Sequence, residues 1–226
     1  MKIDKLITNK IILPRNNNYT AIIGTSPSKT ARSPTLWNKV YKKLKSKTKM
    51  IPLDVKKNKL KNLVNKLKED KNFLGGSVTI PYKEEIIKHL DVIDSKAKSI
   101  GSINTIVKKS KILVGFNTDY IGSLSTLKKM KINKSKKNIL VIGCGGAGKA
   151  VIVSVDNYFT QSNILVRNRN LSNVKKFIRN FSSKKNKIEI LKNYPDISIK
   201  NFDLIINCSS LGFDEWIGKK KKFINK

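Results

Sequence analysis

Acidic side chains are scarce in this sequence. Fifteen Asp and Glu stand against 48 Lys and Arg in 226 residues, a formal net charge of +33. Such an imbalance points first to a nucleic-acid or anionic-membrane partner. Arginine is scarce too, and lysine is spread over nearly every segment beside abundant asparagine and isoleucine, the mark of AT-rich codons. A phosphate-binding face clusters its charge and favours arginine, so no specific nucleic-acid partner is expected. Aromatics make up only 7% of the chain and sit mostly in apolar runs, which removes the stacking platform of a single-strand binder. The two cysteines, Cys144 and Cys208, make no disulfide framework, and with no CxxC pair no metal site is expected. No apolar run nears the length that spans a bilayer. The opening MKIDKLITNKIILP lacks the long apolar stretch and cleavage site of a signal peptide. The expectation is a soluble, reduced, cytoplasmic chain with no membrane partner.

What is present suffices for a core: 39% of the residues are hydrophobic, in a length that suits one large domain or two small ones. YTAIIGTS (19–26) reads as a strand entering a Pro/Ser-rich loop. SPTLWNKVYKKLKS (33–46) reads as a helix, with Ser33 as N-cap, Pro34 in the first turn and Leu36, Val40, Tyr41 and Leu44 at helical spacing. MIPLDV (50–55) reads as a strand, LKNLVNKLKED (60–70) as an amphipathic helix and GSVTI (76–80) as a third strand. EEIIKHLDVIDSKAKSIG reads as mostly helical, and INTIVKK and KILVGFNTD as a strand pair. Helix alternating with strand predicts an α/β protein with mostly parallel sheets. A polar, lysine-rich stretch near 128–137 marks a boundary, giving domains of 1–127 and 128–226.

The second of these opens on ILVIGCGGAGKAV (139–151), where Gly143, Gly145 and Gly148 stand in GxGxxG spacing between an apolar strand and a helix-like segment. The first glycine permits a tight turn, the second lets the backbone approach a pyrophosphate, and the third lets helix and strand pack closely. A helix N-terminus then offers its N–H groups to the phosphate. The next strand ends in Arg167-Asn168-Arg169-Asn170. NAD-binding units place a carboxylate there for the ribose hydroxyls. A guanidinium instead pairs with a 2′-phosphate, so NADP is the expected cofactor.

Ahead of that unit lie SVTIPYK (77–83), GSINT (101–105) and GFNTD (115–119), each placing small polar groups at a strand end or turn. Singly each has an ordinary explanation: Asn-Thr pairs make turns, and a lysine after a strand is usually solvated. Together they supply what a polyhydroxylated ketone needs for reduction, with neutral hydrogen bonds from Asn and Thr, a proton from Lys83, and Asp119 as its partner.

In chain order TARSP, SVTIPYK, GSINT, NTD, GCGGAGKA, NRN and NCSSLG resemble the motif series of shikimate dehydrogenases, from roughly residue 20 to roughly residue 213. The resemblance implies an N-terminal α/β substrate domain and a Rossmann-type NADP-binding domain with the active site in the cleft between them. It implies interconversion of 3-dehydroshikimate and shikimate with NADP(H) in aromatic amino-acid biosynthesis. By motif position Lys83 is the catalytic acid/base and Asp119 its partner. Ser33 takes the substrate carboxylate, while Ser77, Thr79 and Asn104 meet the substrate. Gly143, Gly145, Gly146 and Gly148 meet the pyrophosphate, with Asn168 and Arg169 near the adenosine phosphate.

Three departures accompany the resemblance. Ala31 stands where the family has the first of two carboxylate-binding serines, with Thr30 or Arg32 as replacements. Asn170 and Asn173 stand where NADP-binding members often carry Thr and a basic residue, with Lys175 or Lys176 as substitutes. The chain ends in GKKKKFINK where the family continues with a substrate-contacting glutamine and a helix returning to the first domain. A C-terminally shortened member with an incomplete dinucleotide-binding domain is therefore expected. A degenerate protein of weak activity, a quinate-using enzyme and a homodimer all stay open at this point.

Overall fold

In Tyr19–Gly24 every residue but Thr20 is buried, the mark of a strand covered on both faces. A computed structural model makes this strand, β1, the second of six in the first of two sheets. The structure describes residues 3–210 apart from 15, 182, 184 and 192–200. The end of the NCSSLG stretch and the GKKKKFINK tail therefore lie outside the described residues. The chain divides into Met1–Thr118 and Asp119–Lys226.

In the first unit, α1 (Pro27–Thr30) and α2 (Ser33–Lys43) connect β1 to β2 (Lys49–Asp54), which pairs beside it in parallel. Then α3 (Leu60–Glu69) returns the chain to β3 (Phe73–Val78), parallel to β1 on its other side. Leu60, Leu63, Val64 and Leu67 follow the i, i+3, i+4, i+7 pattern and are all buried. Each such side chain contributes about 1.5–3 kcal/mol on burial. After β4 (Val92–Ile93) and α4 (Ser95–Ile100) comes the expected strand pair, β5 (Thr105–Lys109) and β6 (Ile112–Phe116). These two are antiparallel to one another, and β5 is antiparallel to β3. The sheet order is β2-β1-β3-β5-β6-β4.

Several local expectations are corrected. Ser33 is the first residue inside α2 rather than its cap: Arg32 holds the cap position and no side chain bonds the helix end. No residue of α2 is buried. Leu36, Val40 and Leu44 are 61%, 43% and 69% exposed. Polar contacts anchor the helix instead, with Asn38 bridging Met50 N–H and C=O and Tyr41 Oη 3.1 Å from Thr20 Oγ1. The third strand begins at Phe73 and ends at Val78, leaving Ile80 exposed. The region 85–100 is mostly helical as expected, at Glu85–His89 and Ser95–Ile100, but a short strand, Val92–Ile93, separates the two. Asp91 accepts from Leu113 N–H at 2.8 Å, Val92–Ile93 pairs with β6, and Asp94 caps α4 through Lys96 and Ala97 N–H. The chain is thereby drawn onto the sheet between two helical turns.

One buried hydroxyl in this unit is unsatisfied. Ser102 is fully buried, and its Oγ has no hydrogen-bond partner among the described residues. A buried orphan of this kind costs about 1–3 kcal/mol. Ser102→Ala is expected to be neutral or stabilising, read as an unchanged or higher urea midpoint. A clear loss of stability would mean that the hydroxyl is bonded after all.

The second unit begins with α5 (Asp119–Lys129), followed by β7 (Asn138–Ile142) and α6 (Gly146–Tyr158). Next come β8 (Asn163–Arg167), α7 (Leu171–Asn180), β9 (Lys187–Ile190) and β10 (Leu204–Asn207). The four strands are all parallel, in the order β10-β7-β8-β9. Ile139 to Ile142 are all buried, as a central parallel strand requires. In α6, Ala150, Ile152, Val153 and Val155 are buried together, and its buried Ser154 Oγ–H donates to Ser123 Oγ of α5 at 2.6 Å. The crossovers leave β7 toward β8 on one side, while β10 lies on the other. The carboxyl ends of β7 and β10 therefore flank a topological switch point, where doubly wound sheets bind ligands.

Candidate active site

Four polar segments of the first unit are stitched together at the carboxyl ends of β1 and β3. Thr79 N–H donates to Ile23 C=O at 2.9 Å, and Thr25 N–H to Ile80 C=O at 3.3 Å, joining VTIPYK to the loop after β1. Val78 N–H donates to Asn104 C=O at 2.8 Å, and Asn104 N–H to Phe116 C=O at 3.1 Å. Ser77 sits opposite Thr105 across the β3–β5 pair. The three clusters, separate in sequence, thus share one sheet end.

Lys83 is placed by its neighbours. Tyr82 is buried, and its hydroxyl donates to Val55 C=O at 2.7 Å while accepting from Thr25 Oγ1 at 3.4 Å. Lys83 C=O accepts from Ile103 N–H at 2.7 Å. Lys83 is therefore held through the Tyr82 side chain before it and through its own carbonyl, and the residue itself is half-buried.

Asn104 is oriented by Thr118. Its Oδ1 accepts from Thr118 N–H at 2.8 Å and from Thr105 Oγ1 at 3.0 Å, and its Nδ2 donates to Thr118 Oγ1 at 2.9 Å. Thr118 was not among the residues singled out from sequence. Its only signal was its place in the NTD triplet beside Asp119. Asp119, the next residue, opens α5 and the second unit.

In the second unit, Gly143 has φ +102°, and a Cβ there would lie 2.9 Å from the Cys208 carbonyl carbon and the Ser209 nitrogen. A Cβ on Gly148 would lie 2.1 Å from Gly143 C=O, so helix and strand touch through the missing side chains. Gly145 differs: a Cβ there meets nothing within 4 Å, and the residue is the N-cap of α6. That open side, over first-turn N–H groups with no carbonyl of their own, suits a pyrophosphate. Gly146 is the first residue of the helix.

The residues after β8 divide their work. Asn168 Oδ1 accepts from Cys144 N–H at 3.2 Å, and its Nδ2 donates to Asn170 C=O at 2.9 Å, so Asn168 shapes the glycine loop from behind. Asn170 caps α7, accepting from Ser172 N–H at 3.0 Å and from Asn173 N–H at 3.4 Å, a structural duty for a position that departs from the family pattern. Arg167 Nη1 donates to Leu191 C=O at 3.3 Å. Arg169 is exposed and bonds to no described side chain, which leaves it available to a 2′-phosphate. Beneath the loop, burial and then the neighbouring Cys144 push the Cys208 thiol up to about 11, so it stays protonated at neutral pH. Among the described residues no group of His, Cys, Asp and Glu could hold a metal ion.

Comparison with known proteins bears on both units. The family described as shikimate dehydrogenase substrate binding domain matches residues 22–106, and that described as shikimate / quinate 5-dehydrogenase matches residues 126–222. The NADP(+) shikimate dehydrogenase of Pyrococcus furiosus is 35% identical over 201 residues, which cover 88% of this chain and 70% of the relative. That of Methanococcus maripaludis is 36% identical over 200 residues, with 87% and 70% covered. Among solved structures, shikimate dehydrogenase from Aquifex aeolicus superposes with a TM-score of 0.78 at 27% identity, covering 95% of this chain and 74% of that one. The Thermus thermophilus enzyme in complex with NADP(H) and shikimate gives a TM-score of 0.72 at 25% identity, covering 88% and 70%.

Proposed function

The chain belongs to the shikimate dehydrogenase family, and on that footing we propose that it reduces 3-dehydroshikimate to shikimate with NADPH in aromatic amino-acid biosynthesis. The convergence of Thr79, Lys83, Asn104 and Thr118 on one sheet end carries the reading. The first unit is the substrate and catalytic domain and the second the dinucleotide-binding domain. When bound, the reduced nicotinamide supplies the hydride that the carbonyl carbon gains. Lys83 supplies the proton that the carbonyl oxygen gains, and Asp119 is its partner in regaining one. Ser77, Thr79 and Asn104 hold the substrate through neutral hydrogen bonds, and the Thr118 clamp presents the Asn104 amide in one orientation. Gly143, Gly145, Gly146 and Gly148 seat the pyrophosphate, and Arg169 pairs with the 2′-phosphate. The working compartment is the cytoplasm, in keeping with two unbridged cysteines. No helix among the described residues is long and apolar enough to cross a membrane.

The structure favours one of the two replacements for the hydroxyl missing at Ala31. Thr30 Oγ1 donates to Ser26 C=O at 3.1 Å, which occupies its proton. Arg32 is exposed beside Ser33 and makes no hydrogen bond or ion pair through its side chain with a described residue. Arg32 therefore takes the substrate carboxylate together with Ser33. A hydrogen bond to a charged group is worth about 1.5–3 kcal/mol, so Arg32→Ala is expected to raise the KM for shikimate about ten- to hundredfold. Adding Ala31→Ser to that variant should recover part of the loss. An unchanged KM in Arg32→Ala would remove Arg32 from the site.

The test of the activity is oxidation of shikimate by the purified protein, with NADP and NAD side by side and quinate as a second substrate. Faster turnover of shikimate with NADP is the expected result. Absence of turnover with either cofactor would overturn the proposal, and a preference for quinate would redirect it.

A further inference from the structure

Asp54 ends β2 and is 5% exposed. Its backbone is held on both sides by the N-terminal segment. Asp54 N–H donates to Asn9 Oδ1 at 2.8 Å, and Asp54 C=O accepts from Thr8 N–H at 2.8 Å. Asn9 Nδ2 also donates to Pro52 C=O at 3.0 Å, so the clamp spans the last residues of the strand. The carboxylate points at α1, where Oδ1 accepts from Ser28 N–H at 2.9 Å and Oδ2 accepts from Ser28 Oγ–H. No cation among the described residues pairs with it.

A buried carboxylate without a cation is costly to the fold. This one is tolerated through two hydrogen bonds, both to a single residue. Being acceptor-only, it fixes the hydroxyl and the amide of Ser28 in one arrangement. Little slack follows in the chain. Ala31 N–H closes back on Pro27 C=O at 3.0 Å, Arg32 is the cap of α2, and Ser33 is its first residue. The position of Arg32 and Ser33 therefore depends on how Ser28 is anchored.

We propose that Asp54 is a positioning residue for substrate binding. Through Ser28 it sets the place of the Ala31–Ser33 segment that takes the substrate carboxylate. This rests on the reading of that segment given above. Asp54 does not itself touch the substrate.

The test uses the full chain carrying Asp54→Ala, Asp54→Asn or Ser28→Ala. For each, kcat, the KM for shikimate, the KM for NADP and the melting temperature are measured. Asp54→Ala is expected to raise the shikimate KM about tenfold, the size of one lost charged hydrogen bond, with the NADP KM unchanged. Asp54→Asn can still accept from Ser28 N–H, and its amide can donate to Ser28 Oγ, so it should restore most of the shikimate affinity. Ser28→Ala should raise the same KM, and the double variant with Asp54→Ala should be no worse than Asp54→Ala alone, because the hydroxyl bond lost in Ser28→Ala is one of the two lost in Asp54→Ala. If Asp54→Ala does not fold, the comparison of Ser28→Ala with Asp54→Asn decides: a raised shikimate KM in the first and a near-normal one in the second support the proposal. An unchanged shikimate KM in Ser28→Ala and Asp54→Ala, an equal loss in Asp54→Asn and Asp54→Ala, or a rise in both KM values together would overturn it. An unsubstituted protein without shikimate turnover overturns the underlying reading as well, whereas an active one with unaffected variants overturns this inference alone.

Discussion

Lys83→Ala is expected to lower turnover of shikimate by about 10²–10⁴-fold, the usual range for loss of a general acid–base group. Reduction of a ketone delivers a negative charge to oxygen, and a proton must reach that oxygen as the charge develops. Lys83, proposed above as the proton donor, is held by its neighbours. Tyr82 anchors the preceding residue to Val55, and Ile103 N–H holds the Lys83 carbonyl. Both contacts are retained in the variant, and its melting temperature is compared with that of the parent. Calorimetric titration should give an unchanged Kd for NADP, because the glycine loop and Arg169 belong to the other unit. Lys83→Arg separates charge from proton transfer. A guanidinium keeps the positive charge but does not release its proton, and that variant should be nearly as slow as Lys83→Ala. Turnover within a few-fold of the parent in either variant would remove Lys83 from the chemistry.

Arg169→Asp should reverse the cofactor preference. Arg169 is exposed at the end of β8, where a guanidinium can bind the 2′-phosphate with two parallel hydrogen bonds. Removing them costs about 1.5–3 kcal/mol, and the new carboxylate adds repulsion against the phosphate dianion. The expected fall in kcat/KM with NADP is about 100-fold. A carboxylate at this place can accept from the ribose hydroxyls of NAD, so efficiency with NAD should hold or rise. Arg167→Ala is the control. The Arg167 guanidinium is bonded to Leu191 C=O, so its removal should lower stability and leave the NADP-to-NAD ratio in place. An unchanged ratio in Arg169→Asp would show that the 2′-phosphate is bound elsewhere.

The parts of this protein legible from sequence are those whose cause is local. In α3 the four buried residues recur at helical spacing, so periodicity alone places both the helix and its inner face. The unbroken apolar run of β7 leads into glycines whose missing side chains are required within the same strand–turn–helix unit, as the 2.1 Å approach at Gly148 shows. The motif order from SVTIPYK to NCSSLG was enough to name the family, because residue types tied to one chemistry are legible wherever the chain carries them.

What sequence could not settle were effects of partners far along the chain. Leu36, Val40 and Leu44 stand at helical spacing in α2, yet periodicity does not say whether anything covers them, and in this unit they are exposed. The segment 85–100 has helical composition, but Asp91 is bonded to Leu113 and Val92 pairs with Val114, so a strand interrupts it. Thr118 owes its role to Asn104, fourteen residues away, and Asp54 to Ser28, twenty-six residues away. Ser33, read as a helix cap, lies inside the helix as its first residue. Sequence alone determined which groups are available for the reaction. Only the tertiary structure decided which of them are anchored and in what orientation, because a hydrogen bond between distant residues exists only once the sheet has brought its strand ends together.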